Sequence, residues 1–331
     1  MLVQSSAPTR LDLAGGTLDI WPLYLFHEGA QTLNAAIAVR AECTLSTRED
    51  GTWRLQSQDT GETLTVSDIE ECPDAPRHRL VLRLLQHFRP EPVTVVTRSD
   101  SPVGAGLAGS SALNIAICGA LSRYTGSPYT AESLMSLAAN LEAQVIGVPT
   151  GVQDYRPAMY GGIAAVEMGP AGVTRSELRV DPEELGERVV LAYTGQSRDS
   201  GINNWEVTKR HIDGDRGVIN LFDKIAHVAA TMRGALETRR WDEVSRQLAH
   251  EWELRKQLAP GVTTPAIDAL VARGLSAGAQ GAKVCGAGGG GCLLFLADPS
   301  AVPAVRRTLT DAGATVIATR IDMDGLRVHV S

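Results

Sequence analysis

Between a strand-like apolar run, Pro92 to Thr97 (PVTVVT), and a helix-like run, Ser110 to Tyr124, the chain reads SPVGAGLAGSSAL over residues 101–113. Glycines at 104, 106 and 109 permit unusual backbone angles and close approach, and Ser110 and Ser111 set hydroxyls at the start of a helix. Unpaired N–H groups and the positive end of the helix dipole then converge on one point, which suits a polyphosphate. A strand feeding such a loop and helix imposes mixed α and β structure around an anion site. From this segment alone, a plain strand-to-helix turn stands beside that reading.

The loop lacks the lysine of the pattern G-x-x-x-x-G-K-[ST]. It does contain G-x-G-x-x-G at Gly104, Gly106 and Gly109, which raises a dinucleotide-dependent oxidoreductase as an alternative. That loop usually follows the first strand of its unit and precedes an acidic residue about 20 positions on. Here residues 1–66 read as mostly β before it, and no strand with such an acid follows.

A second glycine run, GAGGGG at 286–291, follows Lys283 and lies between strand-like Gly281–Val284 and Cys292–Leu296. Six such residues cost too much chain entropy for an ordinary hairpin, so close backbone approach to a ligand or to the first loop is expected. A flexible linker is the plainer alternative, and the tight apolar flanks count against it. Asp154, in PTGVQDYRPAMYGG, follows the helix carrying Glu142. Two separated carboxylates allow one to accept a hydroxyl proton while the other holds Mg²⁺. Taken singly, they are an ordinary helix residue and an ordinary turn residue. In RLDLAGGTLD, residues 10–19, a strand ending at Gly15-Gly16 would present Thr17 and Asp19 to a polyhydroxyl ligand, with Arg10 facing the transferring phosphoryl group; a strand with a surface turn fits equally well.

The 331 residues suit two lobes with a cleft between them, and 44% hydrophobic against 21% charged residues provides packed cores. The break is expected near Asp181-Pro182, giving 1–180 and 181–331. Leu33–Thr47 reads as a strand, Trp53–Val66 as a hairpin turning at Asp59–Gly61, Leu80–Phe88 and Thr130–Ile146 as helices. In the second half, Arg188–Tyr193 reads as a strand, Val218–Thr238 and Trp241–Leu258 as helices, and a helix near Pro303–Ala312 precedes strands Thr315–Ile321 and Leu326–Val330. A net charge of −7 argues against a nucleic-acid partner. Five cysteines (Cys43, Cys72, Cys118, Cys285, Cys292), without C-x-x-C spacing, suggest neither a disulfide framework nor a zinc site. With no basic-then-apolar leader and no apolar stretch of about 18 residues, a cytoplasmic protein away from the membrane is expected.

Taken together, VGAGLAGSSAL and KVCGAGGGGCLLFL resemble the phosphate-loop and C-terminal glycine motifs of the GHMP kinases, the superfamily of galactokinase, homoserine kinase and mevalonate kinase. Ala108 and Gly109 stand where a glycine and a serine are common. APTRLDLAGGTLDIWPLY, GVPTGVQDYRPAMYGG and LAYTGQSRDSG are similar to segments of the branch with heptose-7-phosphate 1-kinases and fucokinase-like enzymes, where A-G-G-G-T-D is typical; Thr17-Leu18 departs from its Gly-Thr pair. The G-E-H-x-D-Y signature of galactokinase is missing.

The resemblance implies an α+β, two-lobed fold with a ribosomal protein S5 domain 2-like N-terminal lobe and a ferredoxin-like C-terminal lobe. It implies ATP and Mg²⁺, with Asp154 as catalytic base and Arg10 stabilising the reacting oxygen or the γ-phosphate. Gly104, Ala105, Gly106, Leu107, Ala108, Gly109, Ser110 and Ser111 would form the ATP phosphate loop, and Ser110 with Glu142 would hold the metal. Thr17, Asp19, Ser197, Arg198 and Gly288 would contact the acceptor, a sugar or sugar phosphate attacked through its anomeric hydroxyl. A mevalonate- or homoserine-type acceptor, and a non-catalytic nucleotide sensor, are the alternatives; retention of Asp154, Glu142 and Ser110 weighs against the sensor.

Overall fold

The structure, a computed structural model, describes every residue except 71–74 and 197–200, and only the backbone of 201–203. Ser197, Arg198 and Cys72 lie outside the described residues.

The first half of the chain builds one sheet and a helical layer. Strands β1 (Leu2–Ala14), β2 (Gln31–Thr47), β3 (Trp53–Ser57) and β4 (Thr63–Val66) precede helix α1 (Arg79–Phe88) and strand β5 (Val93–Ser99). Helices α2 (Gly109–Thr125), α3 (Ala131–Ile146) and α4 (Tyr155–Tyr160) follow, then β6 (Ile163–Gly169) and β7 (Gly172–Glu177). β2 is the spine. It pairs antiparallel with β1 on one side, while on the other its early residues pair with β6 and its late residues with β5. The register of β1 on β2 shifts at Pro8/Thr9 and again between Asp12 and Ala14. Proline has no N–H to give the ladder, so an irregularity there is where a sheet tolerates it. Thr130 caps α3 by accepting the Ser133 N–H, and α2 ends at left-handed Gly126.

The second half adds α5 (Pro182–Gly186), β8 (Val189–Tyr193), α6 (Gly201–Ile212), α7 (Arg216–Glu237), α8 (Trp241–Arg255) and α9 (Pro265–Ser276). It closes with β9 (Ala279–Val284), β10 (Cys292–Ala297), α10 (Val302–Asp311), β11 (Thr315–Ile317) and β12 (Arg327–Val330). The second sheet runs β11-β8-β10-β9, all antiparallel. The strand expected to reach Ile321 stops at Ile317, because the chain there leaves the second sheet. Ile321 bridges to Ile37, and β12 pairs with β1 on the first sheet.

Three apolar clusters hold these layers. Val95, Leu84, Ile115 and Leu134 belong to the core between the first sheet and α1–α3. Phe222, Phe295 and Trp252 belong to a second, centred on the second lobe, which also takes in Leu18, Val166 and Met168 of the first half. The third joins the lobes: Leu11 and Leu33 of the first sheet pack in one cluster with Met232, Leu248 and Leu294 of the second half. A shared apolar core fixes the two sheets relative to each other, and hence the cleft between them. Among the described residues no helix is long and apolar enough to cross a membrane.

The lobes approach closely where the two glycine runs touch. A Cβ on Gly106 would lie 2.2 Å from the Cys285 carbonyl oxygen, and one on Gly291 would lie 2.7 Å from that of Ala105. Gly106 also has φ +76°. Gly106→Ala is therefore expected to lose at least about 2 kcal/mol of stability in a denaturant titration, from the clash and the backbone strain together.

Candidate active site

The first loop takes its shape from left-handed residues at Gly104, Gly106 and Ala108, after which α2 begins. Its alternation divides its residues between two jobs. Leu107 is fully buried in the lobe-joining core, and its carbonyl accepts the Arg10 N–H at 3.0 Å. Gly104, Gly106, Ala108, Gly109 and Ser110 instead border a cleft of about 370 Å³, together with the backbone of Ala105. Of the eight residues assigned to the phosphate loop, Leu107 is thus an anchor, and Ser111 is turned inward.

The Ser111 and Ser110 hydroxyls both reach Glu142 on α3. Ser110 donates to Oε1 at 2.8 Å, Ser111 to Oε2 at 3.2 Å, and Tyr155 donates to Oε2 at 2.6 Å. Burial, then the adjacent Glu142 charge, pushes the Tyr155 phenol well above its ordinary range, so it stays a donor. Glu142 is held by its inner oxygen. Its outer oxygen, paired with Ser110 Oγ at the N-terminus of α2, is a hard-oxygen donor set that fits Mg²⁺, an ion that takes few protein ligands and completes its shell from phosphate and water.

Asp154 precedes α4 at the opposite wall. Arg10, on β1 and buried, donates through Nε at 2.9 Å and Nη2 at 2.6 Å to Asp154 Oδ1, and through Nη1 at 2.7 Å to the Gly106 carbonyl. One guanidinium therefore ties the candidate base to the phosphate loop. Its planar fork makes these three bonds at fixed angles, a geometry that the rotating point charge of a lysine ammonium does not impose. Both of its bonds to Asp154 fall on Oδ1, so Oδ2 can accept from a ligand.

Asp19 lies beside them, buried. The backbone N–H and side-chain amide of Gln153 donate to its two oxygens at 3.1 and 3.2 Å. Burial, then the neighbouring Asp154 charge, pushes its carboxyl up to about 7. Gly151 leaves the space for it, since a Cβ there would lie 2.0 Å from Asp19 Oδ2. Thr17 borders the same end of the cleft. Gly288 does not: it packs on the Val262 carbonyl, and Gly286 and Ala287 form the wall.

Behind this wall is a feature that single segments do not reveal. Asp12, Glu251, Arg255 and Lys283 form a buried cluster in which Lys283 donates to Glu251 at 2.8 Å and lies 3.3 Å from Asp12. Arg255 bonds Asp12 at 3.2 Å, Thr17 Oγ1 at 3.2 Å and the Gly286 carbonyl at 2.7 Å. The remaining Glu251 oxygen accepts the Gly15 N–H at 2.9 Å. The usable signals were a lysine in an otherwise uncharged strand and a Glu–Arg pair four apart on α8.

A cleft joining a glycine loop, a helix N-terminus and an arginine-held carboxylate defines a phosphoryl-transfer enzyme. Comparison with known proteins agrees. The models of the GHMP kinases N terminal domain and GHMP kinases C terminal match residues 78–162 and 232–315, together just over half of the chain. A D-glycero-alpha-D-manno-heptose 7-phosphate kinase of Campylobacter jejuni is 28% identical over 90% of this chain and 90% of its own. A mevalonate kinase of Thermococcus sibiricus is also 28% identical, over 99% of both. The crystal structure of a D-glycero-D-manno-heptose 1-phosphate kinase from Bacteriodes thetaiotaomicron superposes with TM-score 0.80 at 24% identity over 99% of both chains. The chain belongs to the GHMP kinases and is an ATP-dependent kinase of the two-lobed α+β fold that the resemblance implies.

Two measurements bear on the site. A carboxyl whose pKa is raised on folding contributes most below the unfolded value of 3.8, and that contribution is lost as pH rises through about 7. The melting temperature of the wild type should therefore fall relative to Asp19→Asn between pH 4 and pH 8; a constant difference would deny the shift. Ala108, at φ +62°, sits where glycine is free of strain, so Ala108→Gly should gain up to about 1 kcal/mol in the same denaturant assay.

Proposed function

We propose that this kinase transfers the γ-phosphoryl group of ATP to the anomeric hydroxyl of a sugar or sugar phosphate, with a heptose 7-phosphate as the first candidate. The observation that carries the chemistry is the Arg10 bridge between Asp154 and the Gly106 carbonyl. The choice of acceptor is supported by the similarity to the heptose 7-phosphate kinase of Campylobacter jejuni.

In this reading the phosphates of ATP lie on the loop from Gly104 to Ser110, where the first N–H groups of α2 stabilise charge without reorganising. Ser110 and Glu142 would hold Mg²⁺, which when bound supplies neutralisation of phosphate charge. The acceptor lies at the Asp19 end, oriented by Asp19 and Thr17. Asp154 Oδ2 takes the proton from the attacking hydroxyl, and Arg10, held on Oδ1, keeps that carboxylate aimed. Because phosphoryl transfer asks mainly for position and charge, these few groups suffice. The two lobes divide near residue 180, with β12 returning to the first. Four described cysteines, Cys43, Cys118, Cys285 and Cys292, are unpaired and buried, in keeping with a reducing cytoplasm. Similarity to archaeal mevalonate kinases supports a small-alcohol acceptor as the second reading.

The test is ADP release from Mg·ATP across free sugars, sugar phosphates including heptose 7-phosphate, mevalonate and homoserine. Asp154→Asn is expected to lower kcat by about 10²–10⁴-fold while ATP affinity stays close to that of the wild type. Full turnover in that variant would remove Asp154 from the role of base, and turnover of mevalonate alone would replace the sugar by the second reading.

A further inference from the structure

Thr17 stands in a backbone conformation that phosphoryl transfer by itself does not require. It is the third residue of the turn Gly15–Leu18, closed by the Leu18 N–H donating to the Gly15 carbonyl at 3.3 Å, and its φ is +75°. That position in a turn belongs to glycine, and a β-branched side chain there is strained. The two preceding glycines have steric reasons to be glycine: a Cβ at Gly15 would lie 2.1 Å from the Gln31 carbonyl oxygen, and one at Gly16 would lie 2.2 Å from Asp12 Oδ2. At position 17 glycine would remove the strain and threonine retains it. Strain that persists beside a cleft marks a group the cleft uses.

What threonine adds is a hydroxyl with a fixed direction. Its Oγ1 accepts from Arg255 Nη2 at 3.2 Å. Arg255 is itself immobilised, bonded to the Gly286 carbonyl at 2.7 Å and paired with Asp12 at 3.2 Å, and it is buried. A hydroxyl that accepts from a guanidinium still has its own O–H to donate. Among the described residues none takes that proton, and the space in front of Thr17 is the cleft that Asp19 and Asp154 also border.

We propose that Thr17 is a specificity-determining residue: a strained hydroxyl, oriented by Arg255 as positioning residue, which donates a hydrogen bond to an acceptor oxygen. The resemblance implies contact between Thr17 and the acceptor; the geometry adds the direction of the bond, the part played by Arg255 and the conformational cost that accompanies it. The inference rests on the kinase reading in that the acceptor enters at this end. It selects acceptors that carry an oxygen at that point over those with carbon there, because an unanswered buried donor is costly.

Three variants separate strain from hydrogen bonding, assayed with whichever acceptor the wild-type enzyme turns over. Thr17→Gly should raise the melting temperature by about 2 °C or more and raise the acceptor KM about tenfold with the ATP KM unchanged. Thr17→Val, which keeps the branched shape and loses the hydroxyl, should raise the acceptor KM similarly without any gain in melting temperature. Thr17→Ser should restore the acceptor KM to within about threefold of wild type. An acceptor KM unmoved in both Gly and Val variants overturns the proposal, as does an equal rise in both KM values. A melting temperature that falls in Thr17→Gly overturns the strain on which it stands. Turnover of mevalonate in place of any sugar would fail the sugar reading alone, and the same comparison is then made on mevalonate.

Discussion

Four buried charges hold this active site in shape. Asp12 from β1, Glu251 and Arg255 from α8 and Lys283 from β9 pair only because the two lobes are in register, and no one of them is tolerable there without the rest. Burial pushes the Glu251 carboxyl up against the opposing pull of Lys283. At Asp12 the balance goes the other way: burial raises it, but Lys283, Arg255 and Arg10 together bring it below its ordinary value. A buried cluster of this kind adds little net stability compared with a well-packed apolar core. What it imposes is uniqueness, since a small shift of one lobe leaves charges unanswered.

That uniqueness reaches the chemistry through short links. Arg255 touches the carbonyl of Gly286, Gly286 packs on Gly106, and the Gly106 carbonyl accepts from Arg10, which holds Asp154. Every step is a direct contact between buried or closely packed groups. On the other wall, Glu142 gathers two hydroxyls of the loop and the phenol of the residue next to Asp154. Asp154, the loop and the Ser110–Glu142 pair are therefore parts of one network rather than neighbours by chance.

How much of this could be read beforehand follows from how local each feature is. The phosphate loop, its helix and Asp154 are carried by short segments that together resemble a family pattern, and the structure brings them to one cleft, with Glu142 of α3 bonded to Ser110. The second glycine run was expected to approach a ligand or the first loop, and its packing on Ala105 and Gly106 shows the latter. Gly288 and Leu107 were assigned by motif alone; their places depend on Val262 and on the lobe-joining core, which no motif records. The four-charge cluster draws on β1, α8 and β9, so its pairing exists only in three dimensions. Strands β6 and β7 and helices α6 and α9 also went unread. The short antiparallel pair β6–β7 is stabilised by its edge position on β2 rather than by a pattern of its own. Thr17 shows the reverse case, in which the sequence gives a residue type that local preference would reject.

The return of β12 to β1 has a consequence for how the molecule comes to exist. Val3 pairs with Val330, so the outer edge of β1 over Val3–Ser6 is covered by a strand that follows the second lobe in the chain. Until β12 is in place that stretch of β1 holds a bare row of backbone donors and acceptors, the kind of edge that recruits strands from other chains. Completion of the first sheet thereby waits until the second lobe has been synthesised. The lobe that begins the chain cannot finish before the lobe that follows it, and the interval between them is the period in which this protein is open to misassembly.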